Sequence, residues 1–124
     1  MRKERPKNLD LTTVKFPVTA NASILHRVSG IIVFIALAIF LVLLNSSLSS
    51  EASFNQVMSF LDNFLVGIVI WGALTGLAYH AVFGVRHMIQ DLGHWEELET
   101  AEASAKVGFA ITAVLSILAG ILVW

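Results

Sequence analysis

The sequence predicts an all-α integral membrane protein with three transmembrane helices. Its 124 residues are 56% hydrophobic and 14% charged, with a mean hydropathy of +0.78, far more apolar than a soluble domain. Asp, Glu, Lys and Arg are absent from residues 28–50, 63–85 and 107–124. A hydrocarbon core about 30 Å thick needs roughly 20 helical residues, and no alternating strand pattern indicates a barrel. We predict spans at about 23–45, 63–87 and 105–124.

The first 20 residues are predicted to form a basic arm ahead of a membrane domain over residues 21–124. The arm contains Pro6 and Pro17 and shows no helical apolar stripe, so we expect it to be extended. It could lie on anionic lipid headgroups or dock against a soluble partner, and the residues do not decide between these.

Orientation follows from the positions of the cations, because Lys and Arg in short loops stay on the cytoplasmic side. The loop over residues 45–62 has no cation, whereas six cations precede the first uncharged stretch: Arg2, Lys3, Arg5, Lys7, Lys15 and Arg27. We therefore predict a cytoplasmic N-terminus. Residues 51–60 are expected to form a short interfacial turn, and residues 91–102 an acidic cytoplasmic loop.

The chain has no cysteine, which excludes disulfides, thiolate-held iron–sulfur clusters and Cys-ligated zinc within it. Any metal chemistry must use histidine. His80 is the deepest candidate, roughly 9 Å below Arg86 at 1.5 Å per helical residue. An ionisable group at that depth is costly and needs a reason.

Glycines precede and follow His80 at intervals of four, at Gly72, Gly76 and Gly84. This face could admit another helix or leave room for a flat porphyrin, and the spacing alone favours helix packing. His80 itself could be a hydrogen-bonded structural histidine or an axial haem ligand. His87, about 10 Å along the same face, cannot coordinate the same iron, and His26 is predicted to lie too shallow. A second ligand would then come from a partner chain.

Ser23, His26 and Arg27 share a helix face at i, i+3 and i+4, and antiparallel packing would bring them level with Arg86 and His87. Such a polar rim could hold haem propionates or hydrogen-bond a quinone carbonyl as negative charge develops on it. Alternatively, the arginines snorkel and His87 caps a helix end. We favour snorkelling for Arg86 and ligand binding for Arg27.

Several sequence blocks resemble the cytochrome b membrane-anchor subunit of succinate dehydrogenase. They cover nearly the whole chain: RP at 5–6, NLDL at 8–11, FPVTA at 16–20, SILHRVSG at 23–30, LAYH at 77–80, GVRHMIQD at 84–91 and the last helix from 116 to 124. The pairing of His-Arg-x-Ser-Gly with a later His-x6-His is specific, although either motif alone would be weak.

The resemblance implies haem b shared with a second three-helix anchor subunit, with which these helices bundle and which contributes the other ligand. It also implies an iron–sulfur subunit, a flavoprotein that oxidises succinate to fumarate, and ubiquinone reduction at the bacterial cytoplasmic (inner) membrane. By position, His80 is expected to be the axial ligand and Ser23 and Arg27 to bind the quinone. His26, Arg27 and His87 are expected to lie near the propionates.

Two other classes remain open at this point. One is a structural anchor without a cofactor, and the other is a small oligomeric transporter. A carrier of protons or cations normally needs a carboxylate within a span, and none occurs in the three uncharged stretches. We rank both below the haem and quinone subunit. Nothing in the sequence suggests nucleic-acid binding.

Overall fold

A computed structural model describes Glu4, Lys7 and residues 9–124. Four helices follow one another: α1 (Val18–Ser47), α2 (Glu51–Leu61), α3 (Phe64–Asp91) and α4 (Leu98–Val123). The described part of the chain has no strand, and α1, α3 and α4 are long and apolar enough to cross a membrane. The predicted all-α fold with three membrane-spanning helices is therefore confirmed. Several residues used in the predictions lie outside the described residues: Arg2, Lys3, Arg5, Pro6 and Asn8.

Local sequence explains where the helices begin and end. Pro17, in extended conformation, precedes α1, and the side chain of Ser50 accepts a hydrogen bond from the Ser53 amide at the start of α2. The Asn63 side chain caps α3 by accepting from the amides of residues 65 and 66. The predicted interfacial turn is therefore a helix of 11 residues. The predicted acidic loop is shorter than expected, because α4 already begins at Leu98.

Residues 18–20 of the predicted arm lie in α1, and a short turn precedes them. The Thr12 hydroxyl and backbone amide donate to the Asp10 carboxylate over 2.7 and 3.0 Å. These hydrogen bonds, the hydroxyl first, lower the pKa of Asp10 below its ordinary value. Between residue 9 and the start of α1 at Val18, the described chain therefore forms a turn and irregular structure, and no helix.

The core lies where α3 passes between α1 and α4. Phe83 is fully buried, with its ring 4.3 Å from that of Tyr79 and 4.9 Å from that of Phe109. Gly108 of α4 leaves room for it, since a Cβ there would lie 2.9 Å from Phe83 Cζ. The Tyr79 hydroxyl donates to the Ala22 carbonyl over 2.8 Å and so ties α3 to α1. We call this end of the bundle, where α1 begins and α3 ends, the histidine end.

The opposite end joins α3 to α4 through polar contacts and tryptophans. Trp71 Nε1 donates to the Ser116 carbonyl over 2.9 Å, and the Thr75 and Ser116 hydroxyls lie 2.8 Å apart. The Trp124 ring lies against Gly67, where a Cβ would be 3.1 Å from its Nε1. These contacts hold α3 to α4 at this end, while Tyr79 and Ala22 join α3 to α1 at the histidine end.

Candidate functional site

Three histidines from α1 and α3 meet at the histidine end, and we call them the histidine cluster: His26, His80 and His87. The rings of His26 and His80 are stacked, with centroids 4.4 Å apart and planes 4° from parallel. The His87 ring lies 5.0 Å from that of His26 at 60°. The cluster brings together the three histidines that the sequence singled out.

Glycines on the facing helix make room for the two stacked rings. A Cβ at Gly30 of α1 would lie 3.2 Å from His80 Cε1, and a Cβ at Gly84 of α3 would lie 3.4 Å from His26 Nε2. Each imidazole therefore lies opposite a residue without a side chain. A Cβ would be crowded at Gly30 and at the limit of ordinary van der Waals contact at Gly84, so Gly30 contributes most to fitting the two rings between the helices.

The prediction that His26 lies too shallow was wrong. Its ring stacks on His80 and so lies at the same level. The first span was predicted from about residue 23, whereas α1 begins at Val18 and carries His26 about 12 Å from its first residue. Arg27 is exposed and lies within α1, nine residues after the helix begins.

A buried serine connects the two stacked histidines. The Ser29 hydroxyl donates to the His26 carbonyl over 2.6 Å, and its oxygen lies 3.1 Å from His80 Nδ1. The same Nδ1 lies 3.4 Å from the His26 carbonyl oxygen. His80 Nε2 forms no hydrogen bond with the described residues and is not fully buried.

His26 presents the opposite situation, because its Nε2 is buried. Within residues 9–124 it is the one buried side-chain nitrogen or oxygen without a hydrogen-bond partner. An unpaired buried polar group costs about 1–3 kcal/mol, so native proteins rarely leave one without a reason. A polar ligand entering the histidine end could satisfy this nitrogen.

Ser23 and Arg27 lie on α1 at the same end as the cluster. Ser23 is half-buried and Arg27 is exposed. Neither side chain has a hydrogen bond or an ion pair to any residue that the structure describes. Their donors are therefore free for a ligand, although no contact joins the two side chains to each other.

Arg86 does not snorkel, contrary to the interpretation favoured from the sequence. It is 5% exposed and turns toward α4. Its Nε donates to the Ser104 hydroxyl over 2.9 Å, Nη2 to the Ala101 carbonyl over 2.9 Å and Nη1 to the Gln90 side chain over 3.2 Å. Polar groups of α3 and α4 satisfy the guanidinium, so it has no need to reach the membrane surface.

Three further predictions concern His87, the glycines of α3 and His94. His87 lies four residues before α3 ends at Asp91 and faces His26, so it does not cap the helix. Helix packing explains Gly76, where a Cβ would be 3.0 Å from Ile32 Cγ2, while nothing lies within 4 Å of a Cβ at Gly72. His94 is exposed, as expected for a surface or partner contact.

The cluster cannot coordinate one metal ion by itself. No group of three or more His, Cys, Asp or Glu residues in the described chain is arranged to hold a metal. Imidazole lone pairs lie in the ring plane, so the parallel rings of His26 and His80 cannot point their nitrogens at one iron from opposite sides. At most one axial ligand can come from this stacked pair.

Sequence reasoning missed Ser29 and Gly30 as site residues, although both belong to the quoted block over residues 23–30. A usable signal was present, because Ser29 lies three residues after His26 and therefore on its face of the helix. Gly30 needed the helix pairing, since only the structure places it opposite His80.

Comparisons with known proteins match the chain over almost its full length. A family profile described as "Succinate dehydrogenase/Fumarate reductase transmembrane subunit" matches residues 1–119. A succinate dehydrogenase cytochrome b556 subunit from Coxiella burnetii is 34% identical over 125 residues, covering 100% of both chains. One from Paracoccus denitrificans is 27% identical, covering 94% of this chain and 90% of its own. A succinate dehydrogenase cytochrome b560 subunit from Reclinomonas americana is 27% identical, and the match covers 98% of this chain and 88% of that protein.

Proposed function

The chain belongs to the succinate dehydrogenase/fumarate reductase transmembrane subunit family, and on that premise we propose that it binds haem b and helps to form a quinone-reduction site. The family membership confirms the resemblance seen in the sequence, and the three long apolar helices make the chain a multi-pass membrane protein.

One observation carries the haem proposal, namely the state of the two ring nitrogens of His80. Nδ1 is engaged with Ser29 and the His26 carbonyl, while Nε2 has no partner in the described chain. A neutral imidazole held at one nitrogen and free at the other is the usual state of a metal-ligating histidine. When bound, haem b provides one-electron transfer between the complex's other centres and the quinone.

A partner anchor subunit would supply the second ligand to the haem. His26 is stacked parallel to His80, and His87 faces His26 at 60°, so neither is placed to complete a site with His80. The unpaired Nε2 of His26 and the half-buried His87 fit a different task, which is to hydrogen-bond the haem propionates.

Ser23 and Arg27 are proposed to bind the quinone. Arg27 is exposed, carries five donors and has no carboxylate to neutralise it among the described residues. Its guanidinium would stabilise negative charge developing on a quinone oxygen, and the Ser23 hydroxyl would hydrogen-bond a carbonyl. Arg27 also lies next to His26 in sequence, so it could contact a propionate as well.

The proposed setting is a bacterial cytoplasmic (inner) membrane with the N-terminus inside. The cations ahead of the first span support this orientation, because the loop between the first two spans has none. The proposed partners are a second anchor subunit, an iron–sulfur subunit and a flavoprotein, with ubiquinone as the electron acceptor. The chain would form part of the enzyme's membrane section, and the flavoprotein would oxidise succinate.

Replacing His80 with leucine tests the haem assignment. The purified complex should lose its low-spin haem spectrum or show it strongly perturbed, because the axial nitrogen is gone. His94→Leu is the matched control, since His94 is exposed in the loop after α3 and should leave the spectrum unchanged. An unaltered low-spin signal in the His80→Leu complex would instead favour an anchor without a cofactor.

Replacing Arg27 with leucine tests the quinone assignment separately. Quinone reduction should fall by 10-fold or more, on the order of the loss from removing one charge-stabilising donor, while succinate oxidation by an artificial acceptor is kept. Arg27→Lys should retain part of the quinone activity because it keeps the charge. Equal losses in both assays would mean that Arg27 supports assembly and not quinone binding.

A further inference from the structure

We propose that Ser29 is a positioning residue for His80, fixing the tautomer in which Nε2 carries the lone pair. This inference rests on the proposed role of His80 as the haem ligand. Ser29 is 4% exposed, lies on α1 and reaches across the helix interface to a histidine 51 residues away in the chain. It would act through His80 and would not touch the haem itself.

The hydrogen-bond distances determine which atom donates. A serine hydroxyl has one hydrogen, and the 2.6 Å separation between Ser29 Oγ and the His26 carbonyl oxygen requires that hydrogen to lie between them. The Oγ can then only accept at its 3.1 Å contact with His80 Nδ1. The His26 carbonyl, 3.4 Å from Nδ1, is a second acceptor. Two acceptors facing one nitrogen place the proton on Nδ1.

Neighbouring groups also fix the orientation of the His80 ring. The His26 ring covers one face of the His80 ring, and the close approach of Gly30 to Cε1 allows no side chain at that edge. With Nδ1 protonated and the ring held, the unprotonated Nε2 points in a single direction. The ligand nitrogen is therefore oriented before any partner chain binds.

An N–H donated to an oxygen also makes the imidazole a stronger electron donor at its other nitrogen. A stronger axial donor stabilises the oxidised iron and lowers the midpoint potential of the haem. Because Ser29 is buried, water cannot readily replace its hydroxyl. The His26 carbonyl, at 3.4 Å, is the more distant and weaker acceptor, so removing the hydroxyl should raise the potential while leaving His80 able to bind.

The test measures the haem midpoint potential and the low-spin electron paramagnetic resonance spectrum of the purified complex carrying Ser29→Ala. We expect haem to be retained, with a more positive potential and shifted g-values, and we expect Ser29→Thr to return both toward the wild type. Ser47→Ala is the matched control, because the Ser47 hydroxyl also donates to a carbonyl three residues earlier in α1, over 2.8 Å, but faces no histidine.

An unchanged potential and unchanged g-values in Ser29→Ala would overturn the inference. If the alanine variant does not assemble, Ser29→Cys makes the same test, since a thiol is close in size but a weak acceptor. The His80→Leu complex separates the two claims. If it loses haem and the Ser29 variants match the wild type, only the Ser29 inference fails, whereas an intact haem signal in His80→Leu removes the proposed function itself.

Discussion

The two sides of α3 at the histidine end differ in how completely their polar groups are satisfied. On the side that faces α4, the Arg86 guanidinium donates to three acceptors and Phe83 is enclosed by rings. On the side that faces α1, His26 Nε2 is buried without a partner, and His80 Nε2 is unpaired within the described residues. The α4 side is complete within this chain, which is what a structural contact requires. The α1 side has polar atoms left over for a ligand.

Truncating Phe83 should cause the largest loss of stability on the α4 side. Phe83→Ala removes a fully buried ring and should lower the free energy of unfolding by about 3 kcal/mol. Phe34→Ala on α1 is the matched control, since Phe34 is 76% exposed and should change it by less than about 0.5 kcal/mol. Detergent denaturation of the purified complex measures both. Equal losses would show that this core does not hold the chain together.

The two arginines offer a direct comparison between the sides. Arg86→Met removes three hydrogen bonds from a buried site and should lower the free energy of unfolding by about 2 kcal/mol, with the haem absorption bands unchanged in position. Arg27→Met should keep the free energy of unfolding within about 0.5 kcal/mol of the wild type and lower the rate of quinone reduction. Thermal dissociation of the complex and the two acceptor assays distinguish these outcomes. A stable Arg86→Met complex would contradict the structural role of Arg86.

A pair of glycines tests the packing with the smallest chemical change. Gly108→Ala would place a Cβ 2.9 Å from Phe83 Cζ, and the overpacking should exceed the gain in helix propensity, for a net loss of about 1 kcal/mol. Gly72→Ala meets nothing within 4 Å in this chain and should be neutral or stabilising. A destabilised Gly72→Ala complex would indicate that a partner helix or haem occupies that space.

Replacing His26 should have the smallest effect on stability and still alter the haem. His26→Phe keeps an aromatic ring stacked on His80 and removes the unpaired buried Nε2, so the free energy of unfolding of the haem-free protein should stay the same or rise by about 0.5 kcal/mol. The haem midpoint potential should shift, because a proposed propionate contact is lost. Potentiometric titration of the haem measures this shift. A drop in stability with an unchanged midpoint potential would contradict the proposed contact between His26 and a propionate.

The fold could be predicted because a bilayer leaves few alternatives. Three stretches without charges, each long enough to span hydrocarbon, can only be helices when no strand pattern is present. The same reasoning found His80, since a histidine far from the nearest charge is costly there. The helix start was less well predicted, since the span was expected from about residue 23 and α1 begins at Val18, nine residues before the charge of Arg27.

The contacts of Arg86 and Ser29 could not be predicted from the sequence, because they depend on how the helices are rotated against each other. Arg86 is buried because Ser104 and the Ala101 carbonyl of α4 face it, and the residues of α3 alone do not contain that information. Ser29 has its role only because His80 lies opposite on α3. Residues whose function depends on a contact between helices are therefore missed, whereas residues whose burial is costly by itself are found.

The assignment of His80 as a haem ligand is tested most directly by a density map of the complex with its partner chains. The map must have a resolution that shows the imidazole rings. We expect haem iron bonded to His80 Nε2, a second ligand from the partner anchor, and His80 Nδ1 within hydrogen-bond distance of Ser29 Oγ. A map in which Nε2 contacts only protein or water, with no porphyrin beside it, would contradict the haem assignment and leave a helical anchor without a cofactor.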